Sequence, residues 1–373
     1  MIDTRPGSPF QRVFYWFAWS LMSVPWTLMF RWKLGFADIP RDRPYLLLSN
    51  HTSLFDPLWS AFWIGKRATF MASAALFRVP VLKWLLPLCG CFPKAKWVKD
   101  RDSMAFLAER YEAGDVIMIF PEGVRSWDGR PGKVLPGIGR LVKRLDAEVV
   151  VSRILNGHLY QPRWARYPRW LPIRVEHVHM QLDTTQSPEA ITEQIAEVMR
   201  IDPNIDAPPG SVGWRMAHGL PAFLWACPEC FTLEALQVQN PNGNYVQCSS
   251  CQERWRVDTS NRLSGRTTLR IHEAHDRLVE HFGRRRPLGS PQATLRHLIP
   301  GKPSALVAQG ELRLDEEGLQ VGETHFDTAE IHAVSVEIAN MLTFRVDGVL
   351  YRLEVPGEST LKWAHFLRGW SED

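Results

Sequence analysis

Four short apolar runs constrain the fold more strongly than any other feature of this sequence. They read YLLLS, ATFMA, VIMIF and EVVVSRIL, at 45–49, 68–72, 116–120 and 148–155. Such runs are typical of strands that are buried on both faces of a sheet. A helical stretch, SMAFLAERYEAG, lies between the second and third runs and is closed by Gly114. Residues 41–205 are therefore predicted to form an α/β domain, a mostly parallel sheet with flanking helices.

The rest of the 373-residue chain divides by composition into smaller regions. The stretch SPEAITEQIAEVMR predicts a closing helix with Ser187 as N-cap, and the Pro- and Gly-containing segment after it indicates a linker at 206–224. After the linker we predict a small zinc ribbon at 225–258, a helical connector at 259–300 that includes a helix over 267–286, and a β-rich domain at 301–373.

The N-terminal region, residues 1–40, contains an uncharged segment. Residues 13–30 read VFYWFAWSLMSVPWTLMF, between Arg12 and Arg31. This length is near the minimum for a membrane-spanning helix, but Pro25 interrupts it. We predict a kinked helix embedded in one leaflet, at the cytoplasmic face of the inner membrane. A single span and a buried core helix are the alternatives.

Polar side chains follow two of the predicted strands. His51 and Asp56 come after the first strand, and Glu122 and Arg125 follow the third. Ligand sites of open α/β sheets lie at the carboxyl ends of their strands. An imidazole held by a carboxylate can take a proton from a hydroxyl group, and a guanidinium group can bind a phosphate. Asp56 could instead only cap a helix that begins at Pro57, and Arg125 could pair with Glu122.

These residues carry a resemblance to a known family. NHTSLFD resembles the N-H-x4-D motif, and FPEGVRS the F-P-E-G-T-R-S motif, of the glycerolipid acyltransferases that acylate lysophosphatidic acid. The resemblance covers roughly residues 10–200 and implies that His51 is the general base and Asp56 its partner. It implies an acyl-CoA or acyl carrier protein donor, a lysolipid acceptor, and substrate-binding residues Asn50, Glu122, Gly123, Arg125, Ser126 and Arg101.

The sequence departs from the family pattern in several places. Val124 stands where the family usually has threonine, and the late strand carries Ser152 and Arg153 instead of a proline. The intermediate basic motif is longer here, as GCFPKAKWVKDRD, so Lys99 is an alternative to Arg101 as the second phosphate contact. These departures affect the acceptor rather than the reaction.

Four of the six cysteines form two C-x2-C pairs. Cys227 and Cys230 are separated from Cys248 and Cys251 by seventeen residues, 231–247. Four thiolates at this spacing can surround one zinc ion, and a closed four-sulfur site is structural. A rubredoxin-like iron site is one alternative, and a pair of disulfides is another. The pattern also favours a reducing compartment.

The C-terminal region reads as hairpins followed by a helix. ELRLDEEGLQV and LTFRVDGVLYRLEV turn at DEEG and DG, and STLKWAHFLRGW is amphipathic. This pattern is similar to a pleckstrin-homology barrel, which implies docking to lipid or to a protein partner. The net charge of +4 is too small to indicate a nucleic-acid partner. The sequence thus predicts a membrane-associated acyltransferase, with an inactive lipid-binding scaffold as the alternative.

Overall fold

The chain divides into two compact units. The computed structural model describes residues 8–30, 33–35, 39–61, 64–73, 77, 80–94, 101–239, 243–299, 303–336 and 341–371. One unit comprises Met1–Arg163 with Pro168–Gly213, and the other comprises Trp164–Tyr167 with Trp214–Asp373.

The first unit is an α/β structure. Its helices are α1 (Pro9–Phe30), α2 (Asp56–Ala61), α3 (Pro80–Leu88), α4 (Arg101–Glu112), α5 (Gly137–Leu145), α6 (Gly157–Tyr160) and α7 (Pro188–Met199). Its strands are β1 (Lys33–Gly35), β2 (Leu46–Ser49), β3 (Ala68–Ser73), β4 (Cys91–Lys94), β5 (Val116–Ile119), β6 (Val149–Ile154) and β7 (Arg174–Met180).

These strands form one seven-stranded sheet in the order β1-β7-β6-β2-β5-β3-β4. Only the pairing of β6 with β7 is antiparallel, so the prediction of a mostly parallel sheet is confirmed. Strand β2 pairs with β5 in parallel, with Leu46 opposite Ile117 and Leu48 opposite Ile119. The carboxyl ends of these two central strands are therefore neighbours.

Both faces of the central strands are buried, which explains their unbroken apolar sequences. Leu46, Leu48 and Val149 pack on one face in a cluster with Ile191 and Ile195 of α7. The intervening residues of the strands face a second cluster, which includes Leu47, Met118 and Val150. The N-cap predicted for α7 is present, since Ser187 Oγ accepts a hydrogen bond from the backbone N–H of Ala190 at 3.1 Å.

Helix α1 carries a row of exposed apolar side chains. It is 22 residues long and contains Pro25. Trp16 is exposed, and six further exposed large apolar residues recur every three or four positions, which places these six on one side of the helix: Phe10, Val13, Phe17, Leu21, Val24 and Leu28. This exposure does not fit the alternative of a buried core helix. None of the helices in the described ranges is both long and apolar enough to span a membrane.

The second unit is mainly antiparallel β structure. Its helices are α8 (Leu220–Phe223), α9 (Ile271–Phe282) and α10 (Thr360–Ser371). The strands β8 (Leu236–Gln239), β9 (Tyr245–Cys248), β10 (Arg254–Val257), β11 (Arg262–Ser264) and β12 (Thr268–Arg270) form a five-stranded sheet. A seven-stranded sheet follows, made of β13 (Leu288–His297), β14 (Ala305–Leu314), β15 (Leu319–Val321), β16 (Thr324–Phe326), β17 (His332–Val336), β18 (Leu342–Val346) and β19 (Val349–Glu354).

Both predicted hairpins are present. The turn between β18 and β19 has positive φ at Asp347 (49°) and Gly348 (76°), as a type I′ turn requires. The helix predicted over 267–286 was too long. Its first residues instead form β12, and Gly283, with φ of 66°, follows the last helical residue. The likeness of the last sheet and α10 to a pleckstrin-homology barrel stays a prediction.

Candidate active site

The two motif loops meet where β2 and β5 end. The backbone N–H of His51 donates a hydrogen bond to Oε1 of Glu122 at 3.1 Å. In the opposite direction, the backbone N–H of Ser126 donates to the carbonyl oxygen of His51 at 2.8 Å. The structure therefore brings together the residues that the sequence placed at two neighbouring strand ends.

His51 and Asp56 form a close pair. The Nδ1 atom of His51 lies 2.8 Å from Oδ2 of Asp56, whose side chain is fully buried. The same carboxylate oxygen accepts hydrogen bonds from the backbone N–H groups of Thr52, at 2.5 Å, and Ser53, at 2.8 Å. These donors precede α2, whose first residue is Asp56, so the carboxylate binds the loop that carries His51. An ionised carboxylate accepts a hydrogen bond from Nδ1–H, which leaves Nε2 of His51 as the nitrogen that can accept a proton.

The surroundings of His51 favour its neutral form. The imidazole stacks on the ring of Phe120, with centroids 4.1 Å apart and planes inclined by 21°. Burial lowers the pKa of His51 from its ordinary value, and Arg125 and Arg163 act in the same direction, whereas Asp56 opposes them. A neutral imidazole is the form that can act as a general base at neutral pH.

Glu122 bridges two backbone amides. Its Oε1 atom accepts from His51, and its Oε2 atom accepts from the backbone N–H of Gly132 at 2.9 Å. Burial raises the pKa of Glu122 to about 7. A Cβ atom at position 132 would lie 2.6 Å from Oε2, so a side chain there would push the Glu122 carboxylate out of this position. Within the described part of the chain, Glu122 thus holds the two loops together and does not pair with Arg125.

Three other predicted substrate-binding residues shape the loops. The side-chain amide of Asn50 is buried and forms two hydrogen bonds with the backbone of Ile154, at 2.8 and 3.0 Å. Gly123 has φ of 71°, and Ser126 Oγ accepts a hydrogen bond from the backbone N–H of Gly129 at 2.9 Å. Their positions support the loop conformation, and substrate contact by them stays a prediction.

Of the three cations predicted to bind phosphate, only Arg125 has a side chain that the structure describes. The guanidinium group of Arg125 is half-buried, and burial lowers its pKa. Lys99 lies outside the described residues, and Arg101 begins α4 with its side chain outside them. Sequence reasoning missed Arg163, whose Nη1 atom donates to the carbonyl oxygen of Arg125 at 3.0 Å. Arg163 lies 38 residues after Arg125 and outside both sequence motifs, so the sequence does not indicate this contact.

Comparison with known proteins finds a family that is similar to this region. Residues 35–154 match the family model described as Acyltransferase. They include β2, β5, both motif loops and the paired His51 and Asp56. Residues 35–154, about a third of the chain, are therefore similar to this family. The predicted family resemblance is thus supported for this part of the chain.

Curated relatives of the acyltransferase domain have 1-acyl-sn-glycerol-3-phosphate acyltransferase names. The chloroplastic enzyme LPAT1 of Arabidopsis thaliana is 28% identical over 33% of this chain and 35% of that protein. The enzyme of Streptococcus pneumoniae is 30% identical over 26% of this chain and 37% of that protein. The chain therefore matches only about a third of the length of these relatives.

A solved structure is also similar to the chain. The crystal structure of the 1-acyl-sn-glycerophosphate (LPA) acyltransferase PlsC from Thermotoga maritima is 20% identical to it, with a TM-score of 0.42. The match covers 51% of this chain and 76% of that chain.

Outside the acyltransferase domain, the four predicted metal ligands converge in the second unit. The sulfur atoms of Cys227, Cys230, Cys248 and Cys251 all lie within 4.8 Å of one another. Cys227 Sγ is 3.8 Å from Cys251 Sγ, and Cys230 Sγ is 3.6 Å from Cys248 Sγ. Tetrahedral zinc with bonds of about 2.3 Å requires sulfur atoms about 3.8 Å apart. The cluster therefore fits a tetrahedral metal ion.

The two C-x2-C pairs have matching local geometry. Backbone N–H groups donate to Cys227 Sγ from Glu229 and Cys230, and to Cys248 Sγ from Ser250 and Cys251, all at 3.4 or 3.5 Å. The residue after each pair has positive φ, 58° at Phe231 and 62° at Gln252. Such amide donors orient the sulfur atoms toward a common centre, as in the surroundings of metal ligands.

Proposed function

We propose that the protein is a membrane-associated O-acyltransferase. It moves an acyl chain from a thioester of coenzyme A or acyl carrier protein to a hydroxyl group of lysophosphatidic acid or a related lysolipid. The observation that carries this proposal is the 2.8 Å pair of His51 with the buried carboxylate of Asp56, inside the acyltransferase domain. The similarity to curated 1-acyl-sn-glycerol-3-phosphate acyltransferases supports the acceptor class.

In the proposed reaction, His51 acts on the acceptor hydroxyl. Nε2 takes the hydroxyl proton while the oxygen attacks the thioester carbonyl, so that a C–O bond forms. The C–S bond then breaks, and the departing sulfur receives the proton from the imidazolium. Asp56 keeps Nδ1 protonated and stabilises the positive charge on the ring between these steps. The guanidinium group of Arg125 binds the acceptor phosphate.

Membrane association is proposed from α1. Its exposed apolar side chains continue onto α3, which α1 contacts and which exposes Val81 and Trp84. A surface of this kind fits the acyl boundary of one leaflet. Near its end, α1 reaches the active-site loop, since the rings of Trp26 and Phe55 have centroids 6.3 Å apart. This contact would hold His51 near a lipid surface at the cytoplasmic face of the inner membrane.

In the second unit we propose a structural zinc ion. Cys227, Cys230, Cys248 and Cys251 would hold it, and its role would be to stabilise the fold around two short cysteine loops. The seven-stranded sheet with α10 is proposed as a pleckstrin-homology-like module that docks to lipid or to a protein partner. The zinc site and this module lie outside the acyltransferase domain. They are also compatible with the alternative function, an inactive scaffold that binds lipid and recruits a partner.

The experiment is acyl transfer by the purified full chain in detergent micelles. The acyl donor is either acyl-coenzyme A or acylated acyl carrier protein, each with a labelled acyl chain. Each donor is assayed separately with lysophosphatidic acid, with other lysophospholipids and with monoacylglycerol. A labelled diacyl product from lysophosphatidic acid would support the proposal and identify the donor. Lipid binding without any product, from folded protein, would favour the scaffold.

A further inference from the structure

Two arginine and two aromatic side chains lie together on the second unit. The centre of the Arg215 guanidinium group is 4.5 Å from the ring centroid of Trp214 and 5.6 Å from that of Tyr167. Arg215 Nη1 also donates a hydrogen bond to the hydroxyl group of Tyr167 at 3.2 Å. The guanidinium centre of Arg166 lies 5.8 Å from the Tyr167 centroid, and the rings of Tyr167 and Trp214 have centroids 5.2 Å apart. We call Arg166, Tyr167, Trp214 and Arg215 the arginine–aromatic cluster.

The two chain segments that carry the cluster are fixed to each other through their backbones. The backbone N–H of Arg166 donates a hydrogen bond to the carbonyl oxygen of His218 at 3.0 Å. Gly219 has φ of 95°, and a Cβ atom there would lie 1.9 Å from the carbonyl oxygen of Trp164. The segments therefore pass in close contact, and the cluster has a defined position that does not depend on its own side chains.

The cluster is positively charged and partly open to solvent. Trp214 is 58% exposed, and Arg166 is also exposed. Within the described part of the chain, neither Arg166 nor Arg215 forms an ion pair with an acidic side chain. Residues 158–175 and 207–228, which include the cluster, contain no Asp or Glu. Burial lowers the pKa of His218, and both cluster arginines act in the same direction, as a local positive potential requires.

This combination of side chains fits an anionic membrane surface. Tryptophan and tyrosine rings are enriched at the level of lipid headgroups, and arginine is attracted to the negative surface potential of anionic lipids. A nucleic-acid backbone presents many phosphates in a row, and two cations are few for that role. The exposed indole ring of Trp214 beside the guanidinium group of Arg215 therefore favours lipid as the partner.

We propose that the arginine–aromatic cluster is a second membrane-contact site, separate from α1. Its guanidinium groups bind the phosphate groups of anionic lipids, and Trp214 inserts at the headgroup level. The cluster lies outside the seven-stranded sheet that is proposed as a docking module. The inference rests on the proposed membrane association and does not depend on acyl transfer.

The test compares the full chain with a variant that carries both Arg166→Gln and Arg215→Gln. Binding is measured by cosedimentation with phosphatidylcholine vesicles, with and without phosphatidylglycerol, in the absence of an acyl donor. Each basic residue near an anionic surface contributes about fivefold in affinity, so the variant should bind phosphatidylglycerol-containing vesicles about twentyfold more weakly. Binding to phosphatidylcholine alone should stay within about twofold. Arg166→Lys with Arg215→Lys keeps both charges and should retain most of the affinity.

Two further variants separate the parts of the contact. Trp214→Ser should weaken binding to both kinds of vesicle about tenfold, because insertion of an indole ring does not need lipid charge. Arg313→Gln is the matched control, since it makes the same charge change in the second unit at an exposed side chain that is paired with Glu311 at 3.0 Å. It should bind as the wild type does. Thermal unfolding midpoints verify that all variants are folded.

Wild-type affinity of the double glutamine variant for phosphatidylglycerol-containing vesicles would overturn the proposal. An equal loss with Arg313→Gln would also overturn it, because net charge alone would then explain the effect. If the variant loses affinity for a single-stranded oligonucleotide but not for vesicles, the cluster binds nucleic acid instead of lipid. If α1 does not bind membranes, the wild type fails to bind phosphatidylcholine, while phosphatidylglycerol-containing vesicles still decide the role of the cluster.

Discussion

The carboxylate of Glu122 joins the backbone of His51 to that of Gly132, with hydrogen bonds of 3.1 and 2.9 Å. The histidine of one motif is thus held by the glutamate of the other, 71 residues away. This arrangement buries an acid whose pKa burial raises to about 7. The stability of the folded protein should therefore depend on pH.

Glu122→Gln should change how the stability of the protein depends on pH. Between its ordinary pKa near 4.5 and the folded value of about 7, Glu122 keeps its proton only in the folded state. Wild-type stability therefore falls as pH rises through this window, and the loss is complete above pH 7. The free energy of unfolding of Glu122→Gln minus that of the wild type should therefore increase by about 3 kcal/mol from pH 5 to pH 8, since each pKa unit is worth about 1.4 kcal/mol.

Urea unfolding of both proteins at several pH values measures this difference. Glu112→Gln, at an exposed position of α4, is the control and should follow the wild type. A difference between Glu122→Gln and wild type that does not vary with pH would show that Glu122 has the same pKa in the folded and unfolded chain.

Asp56→Asn should reduce catalysis while leaving donor binding intact. Asparagine cannot stabilise an imidazolium group, and its amide can place the wrong proton against Nδ1 of His51. We expect kcat to fall by about 10²–10⁴-fold, the usual contribution of a positioned base. Steady-state kinetics measure the effect, with thermal unfolding to verify the fold. The control is Asp202→Asn, an exposed residue. Retention of kcat within threefold would exclude Asp56 from the mechanism.

Leu21→Glu should weaken membrane binding. Leu21 is 63% exposed on the apolar side of α1. Insertion of a leucine side chain into an apolar phase is worth about 1.5–3 kcal/mol, so its loss should lower the vesicle partition coefficient about tenfold or more. Cosedimentation with phosphatidylglycerol-containing vesicles measures it. Ala113→Glu adds the same charge at an exposed site after α4 and should bind as wild type does. Equal binding by both variants would place the membrane contact elsewhere.

Cys230→Ser should remove a bound metal ion. Wild-type protein should contain one zinc ion per chain, and the variant should contain little, because a hydroxyl group replaces one of four thiolates. Cys91→Ser changes a cysteine outside the cluster and should keep the ion. Elemental analysis of the three purified proteins measures the content. Iron in place of zinc would support the rubredoxin-like alternative, and a metal-free wild type would contradict the site.

The features that the sequence predicted correctly are those set by short local patterns of residues. Strands β2, β5 and β6 were found because each is an apolar run covered on both faces. The four cysteines were found because their ligand spacing lies within two short loops. The His51–Asp56 pair was predicted for the same reason, since a five-residue separation places Asp56 where the loop that carries His51 ends.

Contacts between distant segments could not be predicted in this way. The bond of Glu122 to Gly132 depends on how the loop after Ser126 folds back, and nothing in the sequence marks Arg163 as a neighbour of Arg125. The predicted helix over 267–286 failed at its start because its first residues pair with Leu263 and its neighbours in β11. Tertiary pairing there overrides a helical pattern of apolar residues.

The most direct test of the proposed function is the acyl-transfer rate of His51→Ala beside that of the wild type, with lysophosphatidic acid as acceptor. The proposal predicts measurable transfer by the wild type and a rate at least about 10³-fold lower for the variant, since both its base and the Asp56 partnership are lost. Unfolding midpoints of the two proteins show whether the variant is folded. A folded His51→Ala protein that transfers acyl chains within tenfold of the wild-type rate would contradict the role of His51 as the general base.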